Sequence, residues 1–149
     1  MGSVNPRRPF GTSLNSESSH RFAKLGDKFF DAAKLLDAHY QNQKASPAWP
    51  FYDAAYRAIE LYLKSYLLRH GATVDDLRDG TCRKLTTALT QAKQIGLVLN
   101  VRPDAEAQIM KCGEPFAGSD FQRRSVVGCE LAFPDALLEF IESVRAAVN

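Results

Sequence analysis

Two groups of basic side chains are the residues of this chain best suited to chemistry. Arg78, Arg83 and Lys84 form the first, and Lys64 or Arg69 joins them if the helices that carry them pack antiparallel. Phosphate oxygens need convergent donors of this kind, and Thr81 opens a helix whose N-terminus favours anions. The second is Arg123-Arg124, close to Phe121. Arginine grips phosphate with a planar fork, and an aromatic neighbour can stack a base. These residues point to anion binding, with Arg83, Lys84, Arg123 and Arg124 as the contacts. The competing reading of either cluster is a solvated surface.

Glu60 and Lys64 stand four residues apart in the favourable orientation. They read either as an orienting pair beside an anion site or as a structural ion pair on an apolar helix. Removing one partner costs ~3 kcal/mol if the pair is fully buried and ~0.5 kcal/mol if it is exposed. Asp53 and Arg57 repeat the geometry near the helix start. His39 lies at a helix C-terminus, where a cation is welcome. Cys82 at a helix start would have a lowered thiol pKa, but no histidine stands next to it in sequence. No Walker loop, H-E-x-x-H or calcium loop occurs, and no metal or cofactor site is expected.

The elements that position these residues read as helices. The chain has 149 residues, 45% hydrophobic, with a net charge of +2. That is one domain with enough apolar mass for a core. The charge is too mild to imply nucleic acid on its own. Residues 1–18 are rich in Pro, Gly, Ser and Asn and are expected to form a flexible arm, followed by one domain over 19–149. The arm has no apolar core of a secretory signal. Cys82, Cys112 and Cys129 are an odd count without C-x-x-C spacing, which suits reduced thiols in a cytoplasmic protein.

A first helix is predicted over Ser18–Tyr40, with Phe22, Leu25, Phe29, Ala32, Ala33 and Leu36 on its apolar face. The second, Phe51–Leu68, is apolar nearly all round and must be contacted on several sides. Gly71 stops it. Asp75–Gly80 reads as a polar turn. A third helix spans Cys82–Ile95 and ends at Gly96, and a fourth spans Pro103–Lys111. Gly113–Phe133 has little helical period and reads as irregular, with short extended pieces. A last helix spans Pro134–Val148. No apolar run is long enough for a membrane span.

The second helix carries the pattern A-x-x-A-I-E-x-x-L-K on Ala55, Ala58, Ile59, Glu60, Leu63, Lys64 and Leu67. With a long helix before it and Thr81–Ala92 after it, this order resembles the HEPN-like superfamily over roughly Phe22–Leu97. Arg123-Arg124-Ser125, with Gly128 and Pro134, looks like a later stretch of some members. The resemblance implies an all-α, four- to five-helix up-and-down bundle, a homodimer, and a role in toxin–antitoxin or other prokaryotic defence. Many members are metal-independent ribonucleases. Others bind RNA or nucleotide, or serve a nucleotidyltransferase-type partner protein.

The family's nuclease signature is arginine, four to six residues, then histidine. Counting back from His20, His39 and His70 gives Ser13–Asn15, Ala32–Lys34 and Leu63–Ser65, none of them arginine. Lys34 before His39 lacks the planar fork that steadies a pentacoordinate phosphate. The expectation is therefore a degenerate, non-catalytic module without assigned catalytic residues. A nuclease with a rearranged site would draw on His39, His70 and Arg124. A bundle that binds only protein is the third reading.

Overall fold

The computed structural model describes residues 8–45, 49–78, 85–113 and 133–149. Six helices account for most of them: α1 (Arg8–Asn42), α2 (Trp49–Arg69), α3 (Val74–Arg78), α4 (Leu85–Gln94), α5 (Pro103–Gly113) and α6 (Pro134–Val148). No strand occurs among the described residues. The protein is an all-α bundle with α2 at its centre.

The centrality of α2 follows from its composition. Between Phe51 and Leu68 every side chain is buried except Asp53, Arg57, Glu60 and Lys64. Such a helix is stable only when neighbours cover several sides. The antiparallel α1 covers one. Ser19 Oγ donates to the Ser65 carbonyl at 2.8 Å, and Ser65 Oγ donates to the Ser19 carbonyl at 2.7 Å. Further along, the Tyr62 hydroxyl donates to Asp27. Helix α6 runs parallel to α2: Arg145 reaches Asp27, and Arg69 donates to the Val148 carbonyl at the same end of the bundle. On another side the Tyr56 hydroxyl donates to the Ile109 carbonyl of α5 at 2.8 Å, and α4 adds Leu85, Ala88, Leu89 and Ala92 to the core.

The helix stops follow local chemistry. Gly71 (φ +110°) and Gly96 (φ +116°) are the left-handed residues that end α2 and α4. At both ends the next residue's N–H returns five residues to a carbonyl, Ala72 to Leu67 and Leu97 to Ala92, the paired-bond motif that glycine favours. Helix α1 ends in the same way without a glycine. Lys44 takes φ +52° and the Ala45 N–H returns to the Tyr40 carbonyl.

Two boundaries differ from expectation. Helix α1 starts at Arg8, inside the stretch read as a flexible arm, while residues 1–7 lie outside the described part. Ser19, next to the expected helix start at Ser18, is instead an interior residue of α1 fully packed against Ser65. A serine-rich segment looks like a turn former because its hydroxyls compete for local backbone. Here the hydroxyl of Ser19 is used across to another helix. Helix α3 replaces the expected polar turn at its start. Thr73 and Asp76 bond each other's backbone N–H at 3.0 and 2.8 Å, a reciprocal cap that starts a helical turn. Leu77 then anchors that turn in the core. The irregular segment expected before the last helix lies almost wholly outside the described residues.

Candidate functional site

The four expected anion contacts, Arg83, Lys84, Arg123 and Arg124, all lie outside the described residues, as do Cys82 and Cys129. The two cations expected to join them are already engaged. Lys64 Nζ donates to Glu60 at 2.9 Å. The Arg69 guanidinium caps the C-terminus of α6 through the Val148 carbonyl, at the negative end of that helix's dipole.

The histidines are held apart. His39 is exposed near the end of α1, edge-on to Tyr40 with ring centroids 5.5 Å apart. His70 follows α2, stacked on Tyr66 at 4.1 Å, and its Nδ1 donates to the Tyr66 carbonyl at 2.9 Å. Asp37, two residues before His39, lies near Tyr52. Tyr52 and His70 are at opposite ends of α2, roughly 27 Å apart at 1.5 Å per residue. Within one chain the two histidines therefore serve no common site.

What the structure does assemble is a charged ladder along α2. Asp53, Arg57, Glu60 and Lys64 share one stripe, because 100° per residue returns positions four, three and four apart to the same face. Arg57 stands 3.9 Å from Asp53 and 3.8 Å from Glu60, and Glu60 and Lys64 are in hydrogen-bond contact. The charges alternate along the stripe, acid, base, acid, base. Their side chains are only 19–37% exposed, so solvent screens them less than it screens ordinary surface charges. One atom is left over. Asp53 Oδ1 is buried and accepts no hydrogen bond, the only such side-chain atom among the described residues. The ladder can bind a complementary row of charge.

A second polar cluster has no sequence signal. Asp27 Oδ1 accepts from the Tyr62 hydroxyl at 2.5 Å and from Arg145 Nε at 2.9 Å, tying α1, α2 and α6 together. Burial pushes the Asp27 carboxyl up. The Tyr62 and Arg145 hydrogen bonds and the Arg145 charge outweigh it, so the group lies below the usual carboxylate range. Burial and the Asp27 bond push the Tyr62 hydroxyl far above the usual phenol range, so it stays a donor. Asp27 and Arg145 are 118 residues apart in sequence, and only a tertiary contact could join them.

A cleft of about 270 Å³ lies between the α4–α5 connection, α5 and α6, lined by Val101, Arg102, Ile109, Glu139, Phe140 and Ser143 among others. It falls just below the usual volume range of small-molecule sites. Cys112 is buried. Among the described residues no cluster of His, Cys, Asp or Glu is arranged to hold a metal, and no helix is long and apolar enough to cross a membrane.

No family model, curated protein or solved structure matches this chain.

Proposed function

We propose that this chain is a degenerate HEPN-like module that acts through association and through binding RNA or nucleotide, without catalysis of its own, in a prokaryotic defence or toxin–antitoxin setting. The reading is carried by the separation of His39 from His70 within one chain. A metal-independent ribonuclease needs a general base and a charge-stabilising cation within reach of one phosphate. His70 has one ring nitrogen committed to its own helix, and its cationic neighbour Arg69 is committed to α6. The ordering of the helices and the A-x-x-A-I-E-x-x-L-K stretch on α2 support the family part of the reading. Arg83, Lys84, Arg123 and Arg124 are its anion contacts. A nucleotidyltransferase-type protein is the kind of partner it implies, and the cytoplasm the implied place of action.

The test is incubation of the purified protein with labelled single-stranded RNA in EDTA at two salt concentrations. The expected result is a mobility shift that weakens with salt, as counterion release requires, and no cleavage. Cleavage that survives EDTA and is lost in His39→Ala or His70→Ala overturns the reading in favour of a rearranged nuclease. RNA neither cut nor shifted leaves a protein-binding bundle.

A further inference from the structure

The ladder on α2 is its own complement. Asp53, Arg57, Glu60 and Lys64 read acid, base, acid, base along the helix, and reversing that order exchanges every sign. Two copies of α2 laid antiparallel about a two-fold axis, with the axis midway between Arg57 and Glu60, therefore set each charge opposite its counterion. Arg57 and Glu60 are about 4.5 Å apart along the axis, and Asp53 and Lys64 about 16.5 Å. Both pairs share one midpoint, so Arg57 meets the partner's Glu60 and Asp53 meets the partner's Lys64 at the same height. A self-complementary patch of this kind is what an isologous interface requires.

The state of the ladder within one chain points the same way. Its charges are held at low exposure on the stripe of α2 that the other described helices leave partly open. Asp53 is incompletely served, with Arg57 no closer than 3.9 Å and Oδ1 without a hydrogen bond. The partner's Lys64, laid opposite, supplies a second counter-charge to that carboxylate. We infer that the α2 ladder is a docking surface for a second copy of this chain, with Asp53–Lys64 and Arg57–Glu60 ion pairs formed across the two-fold axis.

The inference rests on reading the chain as an associating module, and it can fail separately from that reading. The experiment is sedimentation velocity of the full chain over a wide concentration range, on wild type and on two charge reversals, Asp53→Lys and Lys64→Glu. Wild type is expected to dimerise. Each reversal alone sets like charges across the axis twice and is expected to weaken the dimer by roughly tenfold or more. Their equimolar mixture restores both pairs in the heterodimer, so it is expected to dimerise while neither variant does alone. Circular dichroism checks that each variant is folded. Where one is not, Lys64→Gln takes its place, with a weaker dimer expected and an unchanged one counting against the inference. A wild-type monomer at every concentration overturns the inference, and RNA binding by that monomer would leave the broader reading intact. A dimer that both reversals leave unchanged, or folded variants that stay monomeric when mixed, overturns this interface while association itself stands.

Discussion

Gly26→Ala pits helix propensity against packing, and the structure decides the sign. Gly26 lies within α1. Replacing an interior helical glycine by alanine ordinarily stabilises by about 1 kcal/mol. A Cβ at Gly26, however, would stand 2.9 Å from Tyr62 Cε1, 3.0 Å from Cδ1 and 3.2 Å from Cζ. Carbon atoms pack best at about 3.5–4.0 Å, so the ring must retreat by roughly half an ångström. It has little room. Tyr62 is fully buried, and its hydroxyl is tethered to Asp27, the neighbour of Gly26 itself. Overpacking of this kind costs about 1–3 kcal/mol. The propensity gain offsets part of that, which leaves a net destabilisation of about 1 kcal/mol. Urea unfolding should show a lower midpoint with an unchanged slope. A second background isolates the cause. Tyr62→Val removes the three ring atoms concerned, and there Gly26→Ala should stabilise by about 0.5–1 kcal/mol. The cycle should return a coupling of about 1–3 kcal/mol. If Gly26→Ala raises the midpoint of the wild-type protein, the contact between α1 and α2 drawn here is wrong.

Three further outcomes are expected. Asp27 has a folded-state pKa below its unfolded one, so its contribution is present above about pH 4 and fades as pH falls through the folded value. Asp27→Asn should therefore be less stable than wild type at neutral pH, by about 1 kcal/mol given the exposure of the group, and the gap should close in acid; a gap constant with pH would refute the assignment. Lys44 holds a left-handed conformation that costs a side-chain-bearing residue about 1 kcal/mol, so Lys44→Gly should raise the thermal midpoint, and a fall would mean that α1 does not end there. Thr73→Ala removes one half of the reciprocal cap, and hydrogen exchange should speed up at Asp76 and its successors in α3 while the global unfolding midpoint barely moves.

The legible parts of this protein are those whose cause is local. The period of Phe51–Leu68 and its four charges names α2, its burial and its open stripe together, because a helix returns to the same face every three or four residues. Gly71 and Gly96 end their helices because of their own backbone freedom, and Pro134 starts α6 where its missing N–H has no partner to lose. The Glu60–Lys64 pair follows from spacing alone. The start of α1 escaped that logic, as did α3. The polar run around Ser19 looks like a helix start until Ser65, 46 residues away, takes up the hydroxyl. Thr73–Asp76 is a local signal hidden in a run that looks like a turn.

The sequence by itself determined that this chain is a helical bundle around one apolar helix, since periodicity and composition leave few other ways to bury that face. Tertiary structure alone decided which polar groups meet. It joined Asp27 to Tyr62 and Arg145, committed Arg69 to the end of α6, and kept His39 and His70 at opposite ends of α2. Hydrogen bonds and ion pairs reach only a few ångströms. Which side chains come that close depends on the rotation and register of whole helices, and those are set by packing across the core.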